Sequence, residues 1–216
     1  MRIRLFPSIG IVALAMVASS MAPAQAYNAW GPTWSSPSAS RYLYVWGASW
    51  TSGELFTISG VNLKYDSSKT NAYNPSDPGS STLNISGMTS TSNSSTYASA
   101  PFKVSRTTSA WLFDSSWAGA TCRANCNADI GLQNRVNAAT IYLNDVNFNF
   151  GSGFSGSTVD LSTVVLHELG HAHGLGHPIE VHNPMSSAEV ISVMNVTFTI
   201  KRDLTSDDIY GLEVIY

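Results

Sequence analysis

The chain has 216 residues, only 12% of them charged, and a formal net charge of −3. No basic run or patch is present, which speaks against nucleic acid and against an anionic membrane surface as partners. Ser, Thr, Asn and Gly carry most of the polarity, and the length suffices for one domain with a proper core.

Residues 1–26 read as an export signal. Arg2 and Arg4 give a basic start, an apolar run follows from Ile9 to Val17, and Ala24-Gln25-Ala26 is a small-x-small cleavage site that would leave Tyr27 as the new N-terminus. Ala22-Pro23-Ala24 is a poorer alternative site. The apolar run is about half the length a membrane span needs, and no later stretch approaches it. A soluble, secreted, monomeric protein is expected, with its mature domain at 27–216. Cys122 and Cys126 are the only cysteines. In an exported protein such a close pair implies a disulfide clipping the short loop Arg123-Ala124-Asn125.

Residues 27–110 carry the weakest signal. Tyr42 to Trp46 and Leu55 to Ser59 have the β-branched and aromatic content of strands. Ser67 to Ser99 reads as long loops with room for a helix. Glycosylation sequons begin at Asn84, Asn93 and Asn195, and the tryptophans at 30, 34, 46, 50, 111 and 117 are candidates for packing or for a substrate platform. From Pro101 the pattern sharpens. Phe102 to Val104, Ala110 to Phe113 and Ala139 to Phe150 are strand candidates, the last with Val146, Phe148 and Phe150 alternating with Asn147 and Asn149. Ser157-Thr158-Val159-Asp160 resembles a capping box, with Asp160 as the alternative cap. The helix it opens has a broad apolar face of Leu161, Val164, Val165, Leu169 and Ala172, extended by Leu166, and belongs at the domain's centre.

All five histidines fall between 167 and 182. On the helix, His167 and His171 stand one turn apart on one face, where two imidazoles can meet a single ion. Glu168 is about 100° further round, able to border the ion without binding it. It lies between the apolar and histidine faces, a partly desolvated place that raises a carboxylate pKa towards a useful base. Gly174 tolerates positive φ, so the chain can turn there and bring back His177 as a third ligand. Three imidazoles with one position left for water is the pattern of catalytic zinc, since structural zinc is usually closed by four protein ligands. His173 points away and reads as packed or hydrogen-bonded. His182 is unassigned and is the substitute ligand for His177.

His167 to His177 matches H-E-x-x-H-x-x-G-x-x-H at every fixed position, and with a later methionine it resembles the metzincin clan of zinc endopeptidases. Met185 and Met194 both qualify for the methionine turn beneath the metal. The flanking Ser192-Val193-Met194 and the following Leu204-Thr205-Ser206-Asp207-Asp208-Ile209-Tyr210-Gly211-Leu212 resemble the closing elements of matrixins and favour Met194, with an insertion after His177. Val196 stands where matrixins usually carry Pro, and Pro178 is more like the serralysins. Thr205 and Asp208 form a capping-box pattern for a short terminal helix.

The resemblance implies an α+β fold: a twisted, mostly parallel sheet with an antiparallel edge strand, an active-site helix beneath it, and a small irregular part after Gly174. It implies a protein or peptide substrate lying extended along the edge strand, for which Val146 to Phe150 is the candidate. It also implies hydrolysis of internal peptide bonds with zinc as cofactor and Glu168 as general base. A zinc hydrolase of a non-protein amide and a non-catalytic, zinc-stabilised binding module are the alternatives. No spacing resembles a calcium loop, so calcium is not derivable. No cysteine precedes Cys122 to serve as an inhibitory thiolate, so activity without removal of a pro-segment is expected.

Overall fold

The computed structural model describes residues 33–34, 41–46, 50–61, 85–123, 135–136, 138–180, 184–197 and 199–215. The export signal, Trp30, Asn84, Cys126 and His182 lie outside them. The strands are β1 (Thr33–Trp34), β2 (Arg41–Trp46), β3 (Ile85–Thr91), β4 (Phe102–Thr107), β5 (Gly119–Arg123), β6 (Arg135–Val136), β7 (Ala139–Asn144), β8 (Asn149–Gly151) and β9 (Thr158–Asp160). The helices are α1 (52–61), α2 (Ser94–Ser99), α3 (Leu161–Ala172), α4 (Ser187–Ile191) and α5 (Ser206–Ile215).

The main sheet has the order β3-β2-β4-β7-β5. Its pairings are parallel except the last, where β5 runs antiparallel to β7 and forms an edge. The fold is therefore α+β with a mostly parallel sheet and one antiparallel edge strand. Buried residues alternate along the strands: Leu43 and Val45, Phe102 and Val104, then Ala139, Ile141 and Leu143. Cross-strand register sets Val45 beside Val104 and Val104 beside Ile141, so these side chains share one face. Helix α3 packs against β5 and β7.

Helix α3 has modest intrinsic propensity because Thr163, Val164 and Val165 are β-branched, which costs less than ~1 kcal/mol per residue. Burial outweighs that cost. Leu161, Val164, Val165, Leu166 and Leu169 are all buried in the common core, each contributing roughly 1.5–3 kcal/mol. Asp160 is the N-cap, accepting from the Thr163 amide at 2.9 Å. The other end closes as a Schellman turn: Gly174 takes φ of 100°, its amide donates to His171 O at 2.9 Å, and the Leu175 amide donates to Gly170 O at 3.0 Å.

Several expectations are corrected. Residues 55–59 are helical, not a strand: the Thr51 amide donates to Glu54 Oε2 at 2.8 Å and the Glu54 amide to Thr51 Oγ1 at 3.3 Å, a reciprocal capping box that starts α1. Residues 110–113 are irregular. The single strand expected from Ala139 to Phe150 is broken by a turn after Asn144, whose Oδ1 accepts from the Asn147 amide at 3.1 Å. Phe148 and Phe150 still pack on the core, but Asn149–Gly151 pairs with β9 in a separate ribbon. The antiparallel edge strand is therefore β5 rather than residues 146–150. The sequon asparagine Asn195 is buried, with its amide donating to Val190 O at 2.8 Å, and has no room for a glycan. Asn93 caps α2.

Asp160 also joins distant segments, receiving the Gly153 amide at 2.8 Å and the Arg202 guanidinium. Burial alone pushes its carboxyl pKa up, but the bonds from Arg202, Thr163 and Gly153 outweigh this and hold it below the ordinary value. Because folding lowers this pKa, the charged form stabilises the fold above the unfolded value near ~4, and that contribution is lost as pH falls through the folded value. Asp160→Asn keeps a capping side chain and removes the charge. It should cost on the order of 1 kcal/mol at pH 7, and its melting temperature should converge on the parent's as the pH is lowered through the acid range. Parallel melting curves at every pH would contradict this role.

Candidate metal centre

Two histidines come from one face of α3 and the third from the chain that returns after Gly174. His167 and His171 present Nε2 at 3.2 and 3.0 Å from Nε2 of His177. Their ligand atoms all lie within 4.8 Å of one another.

Each ring's other nitrogen is held. His167 Nδ1 lies 2.8 Å from Val193 O, His171 Nδ1 2.8 Å from Leu175 O, and His177 Nδ1 3.0 Å from Glu180 Oε1. All three partners are acceptors, so the Nδ1 atoms carry the hydrogens and the Nε2 lone pairs face one another. Desolvation disfavours the charged form of the two helix rings: it lowers the His167 pKa to about 4 and His171 well below its ordinary value. Three facing lone pairs repel unless a cation lies between them. Ligand nitrogens ~2.0–2.1 Å from a tetrahedral ion stand roughly 3.3 Å apart, close to the observed spacing. The residues present therefore fit zinc by donor type, charge state and spacing.

The turn beneath the histidines is built from Ser192 to Asn195. Asp208 accepts from Ser192 Oγ and, at 3.1 Å, from the Val193 amide, and the Met194 amide donates to Ser192 Oγ at 3.0 Å. This aims the Val193 carbonyl at His167. Met194 is buried, and its sulfur occupies space that Gly170 leaves: a Cβ there would lie 2.3 Å from Sδ. Met185 is only half-buried. Lys201 ties the turn to α3 through Nζ to Asn195 O at 2.8 Å and its amide to Thr163 Oγ1 at 3.0 Å, and burial lowers its pKa to about 8.

Glu168 is buried beside the triad, and burial raises its pKa to about 7 against the opposing hydrogen bond from Thr121. Thr121 Oγ1 lies 2.7 Å from Glu168 Oε2. His173 is fully buried, with Nδ1 on Leu169 O and its ring edge-on to Phe102 at 6.1 Å, a packed role away from the triad. A cleft of about 670 Å³ opens over the site, lined by β5, by Phe113 and Trp117, and by Val193 and Asn195 to Thr197. Trp117 is exposed there, whereas Trp50 is buried against Arg106. Sequence reasoning missed Thr121 and Glu180. The latter, three residues after His177, carries a readable i,i+3 signal.

Comparison with known proteins places this geometry in a family. The matrixin family model matches residues 61–216. The chain is also 43% identical over 63 residues to Metalloendoproteinase 2-MMP of Arabidopsis thaliana, a stretch covering 28% of this chain and 14% of that protein. With most of its length matched, and with three histidine Nε2 atoms converging beside a buried glutamate, the chain belongs to the matrixin family of zinc metalloproteases.

Proposed function

We propose that this chain is a secreted endopeptidase that hydrolyses internal peptide bonds, with zinc held by His167, His171 and His177. The observation that carries it is the convergence of three histidine ligand atoms, all within 4.8 Å of one another, in a cleft that Glu168 also lines. Zinc supplies Lewis acidity toward the scissile carbonyl and the attacking water. Glu168 takes a proton from that water and later returns it to the leaving amine. Its desolvated carboxyl suits both halves of the task. Met194 forms the methionine turn, and Val193, Leu175 and Glu180 fix the ring orientations by holding each Nδ1.

The substrate lies extended along β5. Among the described residues that strand pairs only with β7, so its outer edge faces the cleft with backbone groups available to a peptide. The apolar walls give one side-chain preference, and no substrate sequence is assigned. Residues 1–26 serve as the export signal, which supports a disulfide between Cys122 and Cys126. No helix among the described residues is long and apolar enough to cross a membrane.

Two measurements test this reading. Purified protein from Tyr27 onward should bind one zinc per chain, and His177→Ala should lose most of it in metal analysis after dialysis against a weak chelator. Zinc retained in full by that variant would remove His177 from the ligand set. Glu168→Gln should keep its zinc and its melting temperature while cleavage of a fluorogenic peptide falls by on the order of a hundredfold or more. An equally active variant would dismiss Glu168 as the base.

A further inference from the structure

The proposed zinc ligands and base leave the buried Thr121 hydroxyl of the cleft without a task. Thr121 is 8% exposed on β5, and Gly119 precedes it by one alternation on the same strand. We propose that these two residues position Glu168 for proton transfer, Thr121 by holding Oε2 and Gly119 by leaving the space in front of Oε1 open. The proposal rests on the reading of Glu168 as the base.

Sheet register delivers both residues. Gly119 pairs with Leu143 and Thr121 with Ile141, and Leu143 and Ile141 belong to the core shared with α3. Directly paired residues share a sheet face, so positions 119 and 121 both point at the helix. The contacts agree. Thr121 Oγ1 stands 2.7 Å from Glu168 Oε2 and 3.0 Å from the Glu168 backbone oxygen. A Cβ built on Gly119 would stand 2.7 Å from Glu168 Oε1, 2.9 Å from its Cγ and 2.9 Å from Val164 Cγ1. Any side chain there would displace the carboxylate or the helix.

The hydroxyl has one hydrogen and two acceptors within reach, and the shorter contact, to Oε2, takes it. Toward the carboxylate, Thr121 donates to Oε2, leaving Oε1 to take the proton as the O–H bond of the attacking water breaks. That proton then passes from Oε1 to the departing nitrogen as the C–N bond breaks. Water is added across the peptide bond and the carboxylate is restored. Throughout, the bond at Oε2 stops the carboxylate from rotating about its last torsion, which is broad and weakly restrained in glutamate. The Thr121 hydroxyl thus acts through Glu168, as a positioning group.

The test compares Thr121→Val, which removes the hydroxyl and keeps the shape, with Thr121→Ser, which keeps the hydroxyl. Zinc-loaded Thr121→Val should retain its zinc and KM for a fluorogenic peptide while kcat falls about tenfold, the scale of one hydrogen bond to a charged group. Thr121→Ser should recover most of the loss. Gly119→Ala should also lower kcat with zinc retained, and it carries the kinetic test if Thr121→Val does not fold. A readout without catalysis is the carbon-13 resonance of the Glu168 carboxyl, assigned by its loss in Glu168→Gln. In the metal-free protein it should move in Thr121→Val and stay near the parent position in Thr121→Ser. Parental kcat in Thr121→Val, a serine variant as impaired as the valine one, or an unmoved resonance each overturns the proposal. A parent that cleaves no peptide while the resonance moves as expected would count against the peptidase reading and leave the hold on Glu168 standing.

Discussion

Three imidazole lone pairs directed at one point constrain everything around them. His167 and His171 reach His177 at 3.2 and 3.0 Å, and imidazole lone pairs facing one another at that spacing repel without a cation. In this arrangement each ring is held from behind by a hydrogen-bond acceptor at its Nδ1. Two of the pins are backbone carbonyls, of Val193 and Leu175, and one is the Glu180 carboxylate. Orientation of the His167 and His171 imidazoles is thereby transferred to the backbone path of two turns.

Those turns are fixed by different means. The first is a Schellman closure that needs Gly174 at positive φ, and its last residue supplies the carbonyl for His171. The second hangs from Asp208, which opens α5 with Thr205 and at the same time holds Ser192 and Val193. A carboxylate in the C-terminal helix thus sets the angle of an imidazole forty-one residues earlier in the chain, from position 208 to position 167. Burial of α3 against the sheet supplies the rigid base from which both turns are measured. Its apolar contacts are worth far more than the helix propensity its valines and threonines give up.

The sequence made the centre of this molecule legible because its chemistry is local. A helical turn joins His167 to His171, one glycine reverses the chain, and His177 follows within six residues. The Thr205–Asp208 box was readable for the same reason, and Asp160 as the alternative cap, whereas a helix start at Ser157 is overturned because Thr158–Asp160 is a strand. Parts set by long-range pairing were not. Strand β5 is composed of Gly, Ala, Thr, Cys and Arg, small for the most part because it lies against a helix, and so it lacks the β-branched pattern that marks a strand. Thr121 meets Glu168 only through its register with Ile141, which no local pattern encodes. Residues 55–59 misled through their β-prone composition, although Thr51-Ser52-Gly53-Glu54 already held the capping box of a helix. The alternation at 146–150 correctly marked Phe148 and Phe150 as core-facing, but not which sheet they join.

A cation at the meeting point of three Nε2 atoms is what the whole site requires. Crystals of the chain from Tyr27 onward, grown with one equivalent of zinc, would locate the ion by anomalous scattering at the zinc edge. A single strong peak ~2.0–2.1 Å from Nε2 of His167, His171 and His177 is the result predicted. A peak centred on His173 or His182 instead, or none at the triad in zinc-loaded crystals, would contradict it.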